Sequence, residues 1–245
     1  MGKKSTLSFL PLRGMVLFPN NGAHIDIGRD KSIAALEESL AHDRLIMLCA
    51  QKDIETEDPK IDDVYEVGTV CQVQHVSKLN NGIMRAQIEG LYRARILDYR
   101  DDGLFIEVDV EEIEDDKTED KEIQALIRAC ISKFEDWVKL SHKIPPEVMI
   151  AVNVAMDDGH VLCNVITNHL NCKFEDKQEI LQSIKLKERL EGYNVMGVST
   201  DGVLRRLKAM RCLSAWQRTR IQPQAHTIQS FMMWQPLSII QTRFR

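Results

Sequence analysis

The chain has no apolar stretch approaching the roughly 18 to 20 residues that a membrane-crossing helix requires, so no helical span is expected. An export signal also lacks its main part. The run "LPLRGMVLFPN", Leu10 to Asn20, follows a short basic start, but Ser8, Pro11 and Arg13 interrupt the continuous apolar core of a signal, and no small-residue cleavage site follows cleanly. There is no C-x-x-C pair. Cys49, Cys71, Cys130, Cys163, Cys172 and Cys212 are scattered, and contexts such as "IMLCA" and "LIRACI" predict buried thiols in a reducing cytosol. One grouping, Cys163, His169 and Cys172, fits no common zinc spacing and has no convincing fourth ligand, so no metal is expected. No G-x-x-x-x-G-K-[ST] loop occurs. "GKKST" is like the end of such a loop, but only Met1 precedes Gly2; "MGKKST" fits the N-myristoylation pattern only weakly. The histidines, His24, His42, His75, His142, His160, His169 and His226, form no pattern with serine and carboxylate that would mark a catalytic triad.

What remains is ordinary globular composition, 44% hydrophobic and 28% charged over 245 residues, enough for one large domain or two small ones. From Ser5 to about Ile113 the pattern is mainly that of strands. "HIDIG" alternates, then Ile33, Leu36 and Leu40 recur at helical spacing in "GRDKSIAALEESLAHD", with Asp30 placed to cap the first turn. "RLIMLCA" is short enough for a buried strand, and "QKDIETEDPKIDD" is an acidic loop. "VGTVCQVQHVSKL" and "IMRAQIEGLYRARILDY" read as two long strands joined at Asn80-Asn81-Gly82, because Asn-Gly tolerates the positive φ of tight turns. A second hairpin follows at Asp102-Gly103. Beyond it Ile106, Val108 and Val110 face one side and Glu107, Asp109 and Glu111 the other. Such strands predict a small barrel or curled sheet.

After "EDDKTEDK" the period becomes helical. Ile123, Leu126, Ile127, Cys130, Ile131, Phe134, Trp137 and Val138 form one apolar stripe. Pro145 and Pro146 stand where a second helix begins; a third starts near Asp157-Asp158 and buries Val161, Leu162, Val165 and Ile166. A fourth, "EDKQEILQSIKLKERLE", turns Leu181, Ile184 and Leu190 inward. The expected organisation is α+β: a strand unit at 1–115, a helical unit at 116–192 and a tail at 193–245. The tail holds eight basic side chains and one acid, a net +7 that leaves −12 on the first 192 residues, and it contains two of the three tryptophans without an evident core.

"LPLRGMVLFPN", "GRDKSIAALEESLAHDRLIMLCAQKD", "VYEVGTVCQV", "IEGLYRARI", "KIPPEV" and "DKQEILQ" with "KERLE" follow one another in an order that resembles the N-terminal domain of the Lon ATP-dependent protease family, over about residues 6 to 192. The resemblance implies a PUA-like, mainly antiparallel β-barrel followed by an α-helical bundle. It implies a non-catalytic module for recognising unfolded or misfolded proteins and for oligomer assembly, in the cytoplasm, through self-association or association with full-length Lon. No cofactor and no membrane are implied for this chain. The ATPase and serine-lysine protease segments of that family have no counterpart here, and the tail departs from the family's long Glu- and Lys-rich helix, as a shifted reading frame, a fusion or a degenerate gene remnant would. The alternative for the tail is a basic appendage that binds nucleic acid or a membrane surface.

Capture of unfolded polypeptide requires accessible apolar side chains. Met15, Leu17 and Phe18, between Gly14 and Pro19, are the substrate-contact candidates, against the ordinary reading that apolar residues beside a strand are core. Arg13, Arg93 and Arg95 are expected on a solvated strand face or in ion pairs with neighbours such as Glu89, and Phe134 and Trp137 in packing. An RNA-binding function, which PUA-like barrels can have, is the alternative; the −12 of the body repels phosphate and leaves only the tail to attract it.

Overall fold

Hydrophobic alternation and helical stripes become six strands, with one α-helix among them, followed by five α-helices in the computed structural model, which describes residues 2–79, 82–116, 120–140, 145, 147–170 and 172–196. Asn80 and Asn81, Pro146 and the tail from residue 197 lie outside the described residues. The strands are β1 (Lys4–Leu12), β2 (Gly22–Ile27), β3 (Leu45–Ala50), β4 (Val67–Lys78), β5 (Met84–Asp101) and β6 (Ile106–Glu112), with helix α1 (Asp30–Ala41) between β2 and β3. The helices after the strands are α2 (Lys121–Leu140), α3 (Val148–Val154), α4 (Gly159–His169), α5 (Phe174–Gln182) and α6 (Leu186–Met196).

One sheet runs in the order β2-β5-β4-β3-β1-β6, and β5 pairs with β6 as well. The pairings therefore form a circuit, β1 to β3, β4, β5, β6 and back to β1, with β2 appended to β5. Among the described strands only the β1–β3 pair is parallel. The length of β5, 18 residues, makes this circuit reachable: Met84–Arg95 align with β4 and Ala94–Asp101 with β6. Both hairpins stand. The Leu79 amide donates to the Ile83 carbonyl at 2.8 Å and the Gly82 amide to Leu79 at 3.1 Å, with Gly82 at φ 84°, a conformation glycine enters without a Cβ clash. At the other, the Asp101 carboxylate accepts from the Gly103 amide and Asp102 from the Leu104 and Phe105 amides, the Asx-turn bonding that makes aspartate a turn residue.

β1 and β3 are apolar at successive positions because both of their faces are covered. Leu10, Leu12, Ile46 and Leu48 join Ile25, Ile88 and Leu36 of α1 in one cluster; Leu7, Phe9, Met47 and Cys49 join Val70, Ile96 and Val108 in another. A third cluster forms the helical core and draws in Val16, Phe18, Ala50 and Val67 from the strand region. Those four side chains couple the strands to the helices through shared apolar burial.

Local signals place two of the helix starts. Asp120 accepts from the Ile123 amide at 2.8 Å, and Asp158 caps α4 through the His160 and Val161 amides. The α2 stripe lies on the helical cluster as its period predicts. Four expectations differ. Asp30 is the first residue of α1 rather than its cap; Arg29 holds the cap position without a side-chain bond. The helix after the prolines begins at Val148, and Pro145 accepts from the Val148 amide. The expected fourth helix is two, α5 and α6, separated by Ser183, Ile184 and Lys185, so that Ile184 is 42% exposed while Leu181 and Leu190 are buried. Finally, α6 continues to Met196, past the expected boundary at 192.

Candidate functional site

Between β1 and β2 the chain must turn back, and it does so with Gly14 and Asn20 at positive φ. Successive side chains in this segment point to different cores. Leu17, 4% exposed, enters the α1 cluster, and Phe18, 0% exposed, enters the helical cluster. Thr69 Oγ1 donates to the Leu17 carbonyl at 2.6 Å, and the Phe18 carbonyl packs against Gly90 so closely that a Cβ there would overlap it. Leu17 and Phe18 are thus core residues, which corrects their expected role as substrate contacts. Met15 is partly exposed on the edge of the α1 cluster. The segment joins strand and helical units: Asn21 Nδ2 donates to the Pro19 and Asn164 carbonyls, the latter on α4.

A buried polar junction lies beside it. Arg93, expected on a solvated face, is 2% exposed, because the helical unit covers that side of β5. One of its terminal nitrogens donates to the Leu181 carbonyl at 2.9 Å and the Ser183 carbonyl at 2.6 Å, satisfying the C-terminus of α5, and the other pairs with Asp115. Burial, then the nearby Arg189, lowers the Arg93 pKa from its ordinary value. Arg189 on α6 donates to Asn164 Oδ1 at 2.5 Å and to His160 Nδ1 at 3.1 Å. Arg95 is exposed, and Arg13 donates to the Thr56 carbonyl at 3.2 Å.

The accessible apolar surface lies elsewhere. "VMIAVNVAM", Val148 to Met156, is apolar at nearly every position, and a helix as short as α3 cannot bury its whole circumference. Val152 and Ala155 face the core, leaving Ile150 66%, Val154 80% and Met156 50% exposed. This surplus was the available sequence signal for these three residues. Ile150 and Val154, four residues apart, share one helical face.

Other chemistry finds no footing among the described residues. No three His, Cys, Asp or Glu side chains converge as metal ligands, and Cys163 of the weighed grouping is fully buried. Burial pushes the Cys49 and Cys130 thiols up to about 12, and Cys71 well above its ordinary value. A hollow of ≈ 210 Å³ beside the start of α1, lined by Arg29, Lys31 and Asp58 among others, is below the usual size of a small-molecule site. Several exposed bases are held by carboxylates, as in Arg85–Asp26, Arg100–Asp109, Lys31–Asp101 and Lys187–Glu122, and the RNA-binding alternative gains no support from them. No described helix is long and apolar enough to cross a membrane.

Comparison with known proteins agrees with the order of motifs. The family model of the ATP-dependent protease La (LON) substrate-binding domain matches residues 6–196. Lon protease of Desulforamulus reducens is 40% identical over 186 residues, covering 76% of this chain and 23% of that protein. Lon protease of Escherichia coli K12 is 38% identical over 202 residues, 82% of this chain and 26% of that protein. The chain thus matches about a quarter of the length of these relatives. Among solved structures, the N-terminal domain of Mycobacterium avium complex Lon protease superposes with a TM-score of 0.67 at 18% identity, covering 80% of this chain and 100% of that one, a likeness of fold. By sequence match, and with a fold in agreement, the chain belongs to the family of the ATP-dependent protease La (Lon) substrate-binding domain.

Proposed function

We propose that this chain is the non-catalytic substrate-recognition domain of a Lon-type protease acting in cytoplasmic protein quality control, and that it captures unfolded polypeptide on the outward face of α3. The observation that carries this reading is the exposure of Ile150 and Val154 on α3, and of Met156 in the turn that follows it, in a segment anchored by Val152 and Ala155. Unfolded chains expose apolar side chains, and a rigid apolar patch offers them burial without a fixed sequence. Met15 is a secondary contact. Peptide hydrolysis and ATP hydrolysis belong, in this reading, to segments of Lon that the matched region does not include, and assembly proceeds by self-association or with full-length Lon. The circuit of strand pairings supports a closed, PUA-like barrel as the scaffold.

The test is the triple substitution Ile150→Ser, Val154→Ser and Met156→Ser, measured against a reduced and alkylated model protein that cannot refold. Each substitution removes about 0.5–1 kcal/mol of apolar contact, so affinity falls at least tenfold while the unfolding free energy stays within about 0.5 kcal/mol of the parent. Unchanged affinity in a folded triple variant would remove α3 from the site.

A further inference from the structure

His160 stands two residues inside α4 with its ring buried, and its two nitrogens meet different demands. Nε2 lies 2.9 Å from Asp116 Oδ1 and 3.0 Å from the Asp116 carbonyl; both are acceptors, so Nε2 carries a proton. Nδ1 faces two groups that cannot both be satisfied. Arg189 Nη1, 3.1 Å away, can only donate and requires a bare nitrogen. Asp115 Oδ1, 3.4 Å away, can only accept and requires Nδ1–H.

We propose that His160 is a proton-operated toggle: with Nδ1 bare it holds Arg189 and fastens α6 to α4, and with Nδ1 protonated it engages Asp115 and releases Arg189. Imidazole is the side chain whose charge ordinarily changes between pH 5 and 8. The charged groups facing it are Asp115 and Asp116 from the segment after β6, Arg189 from α6 and, behind Asp115, Arg93 from β5. On its own helix the Asp158 carboxylate is engaged with the His160 and Val161 amides. At this end of α4, α2 presents Ile127 against Gly159, and α3 carries no titratable side chain. Two carboxylates and two guanidiniums therefore surround the ring, and an added proton meets a balanced set of formal charges.

The mobile partner in this exchange is α6. Asp115 is already oriented by Arg93, whereas Arg189 is 1% exposed and, among the described residues, has no partner for Nε and keeps only Asn164 Oδ1 once His160 turns away. A buried guanidinium facing an imidazolium is repelled, and the helix that bears it is the element free to move. Asp116 Oδ1, which also accepts from the Leu186 amide at 3.1 Å, connects the same ring to the first turn of α6.

The experiment is a pH titration of the full chain, 15N-labelled, from pH 8 to 5, following the His160 ring nitrogens and the exchange protection of the Leu190 and Glu191 amides. Expected is conversion of Nδ1 from bare to protonated, with at least a fivefold loss of α6 protection, corrected for intrinsic exchange, at the same midpoint; Leu162 in α4 keeps its protection. His160→Gln removes the transition, and Asp115→Asn, which removes the negative charge that favours the protonated ring, moves it at least half a pH unit lower. Constant α6 protection in the parent, a transition that survives in His160→Gln, or an unmoved midpoint in Asp115→Asn would overturn the proposal. The parent titration alone decides if either variant fails to fold.

Discussion

Replacing Arg93 with methionine keeps most of the side chain's length and removes its charge and all of its donors. The guanidinium makes two charge-assisted bonds to the Leu181 and Ser183 carbonyls, each contributing about 1.5–3 kcal/mol. Against them stands the cost of burying a guanidinium, several kcal/mol, which the variant no longer carries. Asp115 is 46% exposed and rehydrates when its partner goes, so it does not become a stranded buried charge. The carbonyls at the end of α5 lose their donor at about 1–3 kcal/mol each, the lower figure applying to the partly buried Ser183. The net expectation is a loss of about 2–4 kcal/mol. With a urea dependence of about 2 kcal/mol per molar, the unfolding midpoint followed by circular dichroism falls by about 1–2 M. Arg95→Met, on the same strand but exposed, stays within about 0.5 kcal/mol of the parent. An Arg93→Met midpoint like the parent's, or an equal loss in Arg95→Met, refutes the claim that this arginine fastens the helices to the sheet.

Asp158→Ala removes the acceptor for the His160 and Val161 amides and costs about 1 kcal/mol of stability, read from the same urea curves. The buried thiols set an alkaline limit: unfolded cysteines ionise near their ordinary value, whereas Cys49 and Cys130 hold their protons until about 12. The stability they contribute is complete below about pH 9 and is lost as pH rises towards 12. Replacing both with alanine flattens that decline, and an equally steep decline in the double variant refutes the assignment.

Elements whose signal lies within a few residues were legible. The alternation of Ile106, Val108 and Val110 against three acids placed β6, and the apolar stripe from Ile123 to Val138 placed the buried face of α2. Elements decided by distant partners were not. The same alternation assigns Arg93 to solvent; its actual surroundings are supplied by residues 88 and 90 positions away, for which the local pattern has no term. "LQSIKLKE" contains neither glycine nor proline, so the break between α5 and α6 has no conventional breaker residue. Leu17 and Phe18 looked equivalent to Met15 in a short apolar run, yet alternation sends Leu17 and Phe18 into separate cores. The α3 residues were readable in principle, through an excess of apolar positions over the circumference that a short helix can bury.

The pairing of β1 with β6 sets the order in which the protein can be completed. Thr6 and Asp109 lie opposite each other although 103 residues separate them. During synthesis at roughly 5–20 residues per second, β1 waits about 5 to 20 s before its antiparallel neighbour exists. Its other neighbour, β3, is available sooner but is parallel and requires the intervening crossover to settle first. Of the six described strands the earliest made is therefore among the last to be enclosed, and its Leu7 and Phe9 side chains, which pack against Ile106 and Val108 of β6, remain accessible to chaperones or to aggregation throughout that interval.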